Sequence, residues 1–404
     1  MYTCYNNIDK HSLRGDFIMR ILLTTDLYKP AINGVVTSTV SLKKSLEDLG
    51  HEVRVLTLAD QGYINKTEHI YAVSSVNANK IYPGARVKLF SDRAIMHNIM
   101  DWRPDLIHTQ IEFSTFRMAK KIAHYLDIPI VHTYHTIYED YTHYFSPSKI
   151  TGRKIVSLLT KRVLSDVEAV IAPTQKVDNI LENYGVTQPI SVIPTGIQLE
   201  RFQKPISSEE RQAIRAEYGI PEDTFLLISL GRLGKEKNIE EILSFLSLIK
   251  QKVHFLIVGD GPNRGNLINK VDELGLNDYV HFTGMVSPLE VAKYYQVGDL
   301  FVCASTSETQ GLTYIEALAS GLPALCRADE SIENVIINGQ TGYQYHHFKD
   351  FESGLYALML NKDLYTEMAN ESTKFVAQFY SSQAFGRQVE MVYEQAMESY
   401  HNQQ

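Results

Sequence analysis

The chain is poor in cysteine: only Cys4, Cys303 and Cys326 occur among its 404 residues. Their number is odd and their positions are widely separated, which matches neither a disulfide framework nor a structural zinc motif. The sequence therefore predicts a protein of a reducing, cytoplasmic environment.

Long hydrophobic runs are also absent. No stretch of 18 or more apolar residues occurs, so no transmembrane helix is expected. The polar start, "MYTCYNNIDKHSLRGDF", lacks the apolar segment of a secretory signal. Because a strand-like run begins directly after Met19, we interpret residues 1–18 as an N-terminal extension.

An excess of basic residues is missing as well, since the formal net charge is −8. Nucleic acid is therefore not an expected partner. The hydrophobic fraction of 44% and the charged fraction of 21% are typical of a globular protein. A chain of 404 residues exceeds one typical core, so two domains are expected.

What the sequence does contain is a regular alternation of short β-rich runs with amphipathic segments of helical length. This alternation predicts an α/β fold with parallel sheets, and the runs divide into two Rossmann-like sets. The predicted strands are 20–25, 53–58, 106–109, 128–134, 169–173 and 190–194, and then 225–231, 253–259, 279–283, 300–304 and 323–327.

The segment between the two sets, "QKPISSEERQAIRAEYGIPED", combines two prolines, a charged helix and a loop. Such a change of composition indicates a domain boundary. We therefore assign residues 19–200 to an N-terminal domain and 201–380 to a C-terminal domain. A helix predicted within 381–404 could pack on either domain, including back across to the first.

Glycine-rich dinucleotide motifs are absent from the strand ends. The loop "DLYKPAING" after the first strand ends at Gly34 and a helix, a position that either binds a negative group or is simply structural. "GDGPNRG" has the wrong spacing for a GxGxxG fingerprint, so an NAD-dependent enzyme is not favoured.

Histidines and tyrosines crowd two strand ends, in "LIHTQIEF" and "VHTYHTIYEDYTHY". These segments place His108, Gln110, His132 and His135 at the C-terminal ends of strands, the edge where ligands bind in open α/β sheets. They are either substrate-binding or structural. No acidic residue shares a metal-ligand spacing with them, so zinc is not expected.

Three cations follow a buried strand in "LGRLGKEKN", namely Arg232, Lys235 and Lys237. They either form a solvated surface or bind phosphate, and their position after a strand favours phosphate. One charge-assisted hydrogen bond from Lys237 to a phosphate is worth about 1.5–3 kcal/mol.

The segment "SETQGLTYIEALASGLP" places Glu308 in a loop and Glu316 in the helix that follows. Between the two carboxylates lies a helix N-terminus, whose free amides suit a diphosphate. A hydrolase is less favoured because nothing here requires the two carboxylates to face one scissile bond. A divalent-metal site is less favoured because no third acidic ligand is nearby. Carboxylates on both sides of a diphosphate suit the hydroxyls of a nucleotide-sugar. The amides belong to Gln310, Gly311, Leu312 and Thr313.

Together with "VGDGP" and "FTGMV", these motifs resemble the retaining family-four glycosyltransferases. The resemblance spans about residues 19–400. It implies the GT-B architecture, in which two Rossmann-like domains face each other across a cleft. The N-terminal domain would then bind the acceptor and the C-terminal domain the nucleotide-sugar.

The resemblance also implies roles for individual residues. Glu308 would hold the donor sugar, Glu316 the ribose, and Met285 would lie beside the base, while no metal would be essential. Because Gln110 stands where the family often has a histidine, His135 is the expected substitute. The implied donor-binding residues are Gly34, Arg232, Lys237, Met285, Glu308, Gln310, Gly311, Leu312, Thr313 and Glu316. The implied catalytic residues are Glu308, His135, Arg232 and Lys237, and the acceptor-side candidates are His108, Gln110 and Tyr138.

Two segments, "HTYHTIYEDYTHY" and "STSETQGLTYIEALASGLP", are similar to the bacterial branch that glucosylates diacylglycerol from UDP-glucose. This similarity implies a peripheral enzyme on the anionic inner face of the cell membrane. Residues 79–93 and 149–164 are the candidate membrane contacts. In the second region, Ile155, Leu158, Leu159 and Val163 would form an apolar face flanked by Lys149, Arg153, Lys154, Lys161 and Arg162, unless the segment is a core helix with a solvated rim.

Other functions stay open at this point. They are transfer to phosphatidylinositol, another glycolipid or a polysaccharide, transfer from another donor, nucleotide-sugar epimerisation, and ligand binding without chemistry. The motifs assign neither the donor hexose nor the oligomeric state.

Overall fold

The computed structural model describes residues 18–31, 33–78, 86–139, 149–305 and 307–402, with no side-chain description for 149 and 150. Within these ranges the strands form two large sheets and one small two-stranded ribbon. The predicted α/β class with two parallel sheets is confirmed.

The first half of the chain forms an eight-stranded sheet in the order β10-β9-β8-β7-β1-β2-β4-β3. Its strands pair in parallel except β3, which is antiparallel to β4, and β5 pairs with β6 as the ribbon. The strands are β1 (Arg20–Thr24), β2 (Glu52–Ala59), β3 (Tyr63–Asn65), β4 (Ile70–Ser74), β5 (Val76–Asn77), β6 (Arg86–Val87), β7 (Leu106–Thr109), β8 (Ile130–Thr133), β9 (Ala169–Ala172) and β10 (Ile190–Val192). The helices are α1 (Gly34–Asp48), α2 (Arg93–Trp102), α3 (Ser114–Leu126), α4 (Lys149–Leu164) and α5 (Gln175–Asn183).

The second half forms a six-stranded, all-parallel sheet in the order β13-β12-β11-β14-β15-β16. Its strands are β11 (Leu226–Leu230), β12 (His254–Val258), β13 (Val280–Gly284), β14 (Leu300–Cys303), β15 (Ala324–Arg327) and β16 (Gly342–Tyr345). The helices are α6 (Leu199–Gln203), α7 (Ser208–Glu217), α8 (Ile239–Leu246), α9 (Arg264–Leu274), α10 (Val291–Val297), α11 (Leu312–Ala319), α12 (Phe348–Leu360), α13 (Lys362–Phe379) and α14 (Ser382–Asn402).

The central strands are short apolar runs because helices cover both faces of each sheet. All residues of β7, β8, β9, β12 and β14 are buried. Strands buried on both faces read as continuous hydrophobic runs rather than as alternating patterns. This is why every strand predicted from the sequence lies within two residues of an observed one.

The strands that prediction missed are β3 to β6 and β16. β3, β5 and β6 are only two or three residues long, and β16, "GYQY", contains few aliphatic residues, whereas β4, "IYAVS", is a mostly buried apolar strand that the prediction overlooked. Gly342 begins this strand because a Cβ there would lie 2.1 Å from the carbonyl oxygen of Ala324. Contact with the neighbouring strand, and not hydrophobic pattern, defines such an element.

In both sheets the strand order reverses at one point. The chain fills one side of β1 first and then continues on the other side with β7, and likewise β11 is followed on its far side by β14. In open α/β sheets such a switch point leaves a crevice outside the carboxyl ends of the two strands, and ligands bind there. The loops that follow β1, β7, β11 and β14 are therefore the candidate ligand-binding loops.

The two halves are joined where the chain crosses between them. The amide of Ile197 donates to the carbonyl of Tyr380 at 2.9 Å, and the amide of Ser382 donates to the carbonyl of Ile197 at 3.0 Å. Helix α14 then lies against α1 and contributes Phe385, Val389 and Tyr393 to the core of the first half.

The loops after β11 and β12 cross at van der Waals distance, which requires a glycine. Gly259 has a φ of +127°, and a Cβ on it would lie 2.0 Å from the carbonyl oxygen of Gly231. The amide of Leu233 also donates to the carbonyl of Asp260 at 2.9 Å. Backbone contacts of this kind hold the cation-bearing loop after β11 in one place.

We predict that Gly259→Ala lowers the free energy of unfolding by about 2–4 kcal/mol, because it combines a strained backbone angle with overlap against Gly231. Gly265→Ala is the matched control, because no atom lies within 4 Å of its added Cβ in helix α9. It should leave stability unchanged or raise it by up to about 1 kcal/mol. Urea denaturation measures both, and equal midpoints for the two variants would contradict the prediction.

Candidate functional site

The carboxyl ends of the two sheets meet. Thr174 lies two residues after β9, and its hydroxyl donates to the carbonyl of Thr309, in the loop after β14, at 2.8 Å. Lys176 Nζ pairs with Asp329 Oδ1, in the loop after β15, at 2.9 Å. The carboxyl ends of both sheets therefore border one interdomain space.

One pocket at the second switch point gathers the predicted phosphate-binding residues. Arg232 and Lys237 reach it from the loop after β11, and Glu308 and Thr313 reach it from the loop and helix after β14. Lys237 lies in a single 3-10 turn, Lys235–Lys237, while Arg232 Nη1 donates to Glu236 Oε1 at 3.0 Å. Both cations are thus presented by one short, crosslinked loop.

Lys237 Nζ donates a hydrogen bond to Glu308 Oε1 within this pocket. The Lys237 and Glu308 side chains are 27% and 15% exposed. Burial alone would raise the pKa of Glu308, but the charge and the hydrogen bond of Lys237 hold it below its usual value. The pKa of Lys237 is correspondingly raised by Glu308 despite the cost of burial. Both groups therefore stay charged at neutral pH.

The N-terminus of α11 faces the same pocket through Thr313. Gly311 caps the helix with a φ of +72°, and a Cβ on it would lie 2.2 Å from the Tyr314 ring. This cap supplies no side-chain hydrogen bond. The first amides of α11, at Leu312 and Thr313, are left for an anionic ligand, which the positive end of the helix favours.

Glu316 lies on α11 beside a buried tyrosine. Tyr295 Oη donates to Glu316 Oε2 at 2.9 Å. Burial raises the pKa of Glu316 to about 7, although Tyr295 and the charge of Arg201 act in the opposite direction. Glu316 is therefore a carboxyl group whose charge changes near neutral pH.

The side chain of Gln310 binds the segment that connects the two domains, at Thr195. Its Oε1 accepts from the amide of Thr195 at 2.8 Å, and its Nε2 donates to the carbonyl of Thr195 at 3.0 Å. The Gln310 side chain thus makes two hydrogen bonds to the main chain of Thr195, and it is not among the residues that line the donor pocket. Only the main chain of Gln310 stays a candidate for diphosphate binding.

Gly34 and Met285 come after the carboxyl ends of β1 and β13. Gly34 begins α1 behind the cap residue Asn33, and a Cβ on it would meet no atom within 4 Å. Met285 directly follows β13 and is 70% exposed. Their roles in donor binding stay predictions.

On the first sheet, Gln110 and His135 form a pair at the switch point. His135 Nε2 donates to Gln110 Oε1 at 2.8 Å, while the buried Gln110 Nε2 has no partner among the described residues. Burial and the charge of His132 lower the pKa of His135 to about 4, so its ring is neutral at pH 7. Since Nε2 carries the proton, Nδ1 of His135 is the hydrogen-bond acceptor.

Sequence reasoning missed Glu112, which lies beside this pair. Glu112 Oε1 accepts from His132 Nε2 at 3.3 Å, and Glu112 Oε2 accepts from Tyr138 Oη at 2.5 Å. The signal was an acidic residue in "LIHTQIEF", just after a buried strand. Tyr138, a predicted acceptor-side residue, therefore lies at the expected edge but is bonded to Glu112.

His108 was predicted to lie on the acceptor side, but the structure places its ring between protein groups. Its Nδ1 lies 2.6 Å from Tyr393 Oη on α14, and its Nε2 lies 2.7 Å from Thr133 Oγ1. Both ring nitrogens are thus bonded to protein groups. The residue connects β7 and β8 to the terminal helix, because its side chain points away from the edge of the sheet into the core.

In the described ranges, no three histidine, cysteine, aspartate or glutamate side chains are grouped as a metal ion would require. None of the helices described there has the length and apolar character needed to span a membrane.

The chain matches two protein-family models that together cover most of its length. Residues 32–201 match Glycosyltransferase Family 4, and residues 210–397 match Glycosyl transferases group 1. An alpha-monoglucosyldiacylglycerol synthase of Streptococcus pneumoniae is 36% identical, over 93% of this chain and 85% of that protein. A synthase of the same name from Acholeplasma laidlawii is 32% identical, over 93% and 96%.

Solved structures share the fold. HepE of Anabaena, in complex with UDP and glucose, superposes with a TM-score of 0.74 at 17% identity, covering 93% of this chain and all of that one. Sucrose-phosphate synthase of Thermosynechococcus elongatus gives 0.72 at 20% identity, covering 94% and 100%. At this level of identity the similarity supports the architecture alone.

The raised pKa of Glu316 predicts a pH dependence of stability. A carboxyl group whose pKa rises on folding stabilises the protein at low pH, and this contribution is lost as pH rises from about 4.5 to about 7. Glu316→Gln should therefore reduce the loss of stability between about pH 5 and about pH 8. Urea denaturation at both pH values measures it, with the exposed Glu394→Gln as control. If the unfolding free energy of Glu316→Gln changes between the two pH values as much as that of the wild type, the raised pKa of Glu316 is refuted.

Proposed function

This chain is a family 4 glycosyltransferase of GT-B architecture, and we propose that it transfers glucose from UDP-glucose to diacylglycerol with retention of the anomeric configuration. The observation that carries the proposal is the Lys237–Glu308 pair beside the N-terminus of α11, which itself lacks a side-chain cap. A cation, a carboxylate and free amides in one pocket match a diphosphate with a sugar attached.

On the donor side, Lys237, Arg232 and the first amides of α11 bind the diphosphate. Glu308 accepts hydrogen bonds from the sugar hydroxyls, and Glu316 accepts from the ribose. When the bond between the anomeric carbon and the phosphate oxygen breaks, its electron pair moves onto the diphosphate. Preorganised cations and amides stabilise that charge, so no metal is expected to be essential.

On the acceptor side, the hydroxyl oxygen forms the new bond from the face that the diphosphate leaves, and its proton passes to the departing diphosphate. Diacylglycerol is the proposed acceptor because two relatives, 36% and 32% identical over 93% of this chain, are named for making alpha-monoglucosyldiacylglycerol. Phosphatidylinositol, another glycolipid or a polysaccharide are the alternative acceptors, and epimerisation of the donor is the less favoured reaction.

A lipid acceptor requires contact with a membrane, and α4 is suited to it. Val156, Thr160 and Leu164 recur at every fourth position and are buried against the first half. Ile155, Leu158 and Leu159 are 42%, 68% and 58% exposed on the outer side. The helix therefore has a core face and a second, exposed apolar face.

Exposed basic residues flank this outer face at Arg153, Lys154, Lys161 and Arg162. Each basic residue near an anionic surface adds about 1 kcal/mol of attraction. Val163, which was predicted to belong to this face, is instead partly buried against the core. We propose peripheral binding of α4 to the inner face of the cell membrane.

The other predicted membrane region is only partly described. Residues 79–85 lie outside the described ranges, whereas Leu89 and Phe90 are 72% and 80% exposed. These two side chains are consistent with the same role.

The proposed reaction is tested with UDP-[14C]glucose and diacylglycerol in anionic vesicles, where a labelled monoglucosyl lipid is expected. Glu308→Gln should lower turnover by about 10- to 150-fold, because a charged partner of the sugar is lost. Its thermal unfolding should change far less, and the exposed Glu330→Gln is the control.

The outcomes of this assay separate the alternatives. Label in another acceptor of the panel would replace diacylglycerol, and an isomerised donor in the absence of acceptor would indicate an epimerase. Wild-type turnover in Glu308→Gln would reject its role at the donor sugar.

The membrane proposal predicts that Leu158→Asp combined with Leu159→Asp weakens sedimentation with anionic vesicles, because apolar burial is replaced by repulsion. Leu360→Asp is a matched control, since Leu360 is 67% exposed on α12 of the other domain. Equal binding by the double variant and the control would exclude α4 as the contact.

A further inference from the structure

Glu112 occupies the switch point of the first sheet, in the loop after β7. The equivalent point of the second sheet carries the cations Arg232 and Lys237. Because the carboxyl ends of both sheets border one space, a carboxylate follows the switch point on one side of it and cations follow the switch point on the other. The acceptor must bind on the side of the carboxylate, since the cations serve the diphosphate.

Glu112 is a buried carboxylate whose hydrogen-bond partners are a histidine and a tyrosine. Its side chain is 9% exposed and is held by the His132 ring and the Tyr138 phenol. His132 is itself oriented by Thr109 Oγ1, which lies 2.7 Å from its Nδ1. No lysine or arginine forms an ion pair with Glu112 in the described part of the chain.

These hydrogen bonds keep the carboxylate charged. Burial alone would raise the pKa of Glu112, but the hydrogen bonds and the charge of His132, together with the Tyr138 hydroxyl, hold it below its usual value. A carboxylate offers more acceptor positions than the two that these partners use. Glu112 is therefore able to accept a further hydrogen bond at neutral pH.

The surroundings of Glu112 select the kind of donor that can approach. Phe113 is 57% exposed, and its ring packs edge-on against Tyr138 with centroids 6.0 Å apart. Gln110 adds an amide nitrogen on the same loop that has no partner among the described residues. An apolar ring beside a carboxylate that no described lysine or arginine pairs with suits a hydroxyl on an apolar molecule, whereas a phosphate near the carboxylate would be repelled.

Resting on the proposed function, we infer that Glu112 binds the reacting hydroxyl of the acceptor and selects a neutral lipid alcohol over a phosphate-bearing lipid. Glu112 accepts the hydrogen bond of that hydroxyl and orients its oxygen lone pair towards the anomeric carbon. The carbon–oxygen bond to the acceptor forms as the bond to the diphosphate breaks. The proton of the hydroxyl leaves with the diphosphate, so Glu112 keeps its charge and acts by orientation.

The test compares Glu112→Gln with the wild-type protein in anionic vesicles that contain diacylglycerol or phosphatidylinositol. Glu112→Gln should lower kcat/KM for diacylglycerol by about 10- to 150-fold, because a charge-assisted hydrogen bond becomes a neutral one. The preference for diacylglycerol over phosphatidylinositol should fall with it. The Kd for UDP and the acceptor-free hydrolysis of UDP-glucose should stay within about twofold of wild type. Exposed Glu182→Gln on α5 is the matched control.

Failure of this inference is distinguishable from failure of the proposed function. The product formed by the wild-type protein identifies the acceptor. The ratio of kcat/KM between Glu112→Gln and wild type is then measured with that acceptor. Unchanged kcat/KM and preference in Glu112→Gln, or an equal loss of UDP binding, would overturn the inference, as would a wild-type protein that glucosylates nothing.

A second variant covers the case in which Glu112→Gln does not fold. Tyr138→Phe removes one hydrogen bond to Glu112 but leaves the carboxylate, so the KM for the acceptor should rise about 3- to 10-fold. The Kd for UDP should not change. An unchanged acceptor KM in a folded Tyr138→Phe protein overturns the inference in that case.

Discussion

The reversal of strand order in each parallel sheet is the constraint on which the site depends. Parallel strands end at the same edge, and a reversal separates the two helices that would otherwise cover that edge. In this chain the reversals lie between β1 and β7 and between β11 and β14. Arg232, Lys237 and Glu308 follow one reversal, and Gln110 and Glu112 follow the other. Residues far apart in sequence therefore border the same space without any special contact between them.

The charged groups on the two sides of this space match the groups that react in a glycosyl transfer. The second sheet supplies cations and helix amides, which suit the charge that develops on a departing diphosphate. The first sheet supplies a neutral histidine, an amide with no partner in the described part of the chain and a carboxylate, which suit an approaching hydroxyl. The interdomain segment connects the two through Thr195, whose backbone pairs with Gln310 directly before the Gly311 cap.

Much of the fold could be predicted because buried parallel strands are continuous apolar runs, as in "HFLIV" of β12. β16 could not be predicted, because it contains few aliphatic residues and is defined by its contact with β15, which Gly342 permits. The cation loop and the Glu308–Glu316 segment were located from their residue types and their positions after strands. His108 was misassigned because consecutive residues of a strand point to opposite faces, and its direction into the core became evident only from its bonds to Tyr393 and Thr133.

The sequence by itself determined the class of fold, the loops that carry the chemistry and the family. Local hydrophobic pattern, turn residues and motif spacing contain that information because each acts over a few neighbouring residues. The tertiary structure decided which side chains are free to meet a substrate. The Gln310 side chain is bonded to the main chain of Thr195, and burial raises the pKa of Glu316 to about 7. Hydrogen bonds from His132 and Tyr138 keep Glu112 a charged carboxylate. Burial and hydrogen bonding between distant segments set these properties, and neither can be read from local spacing.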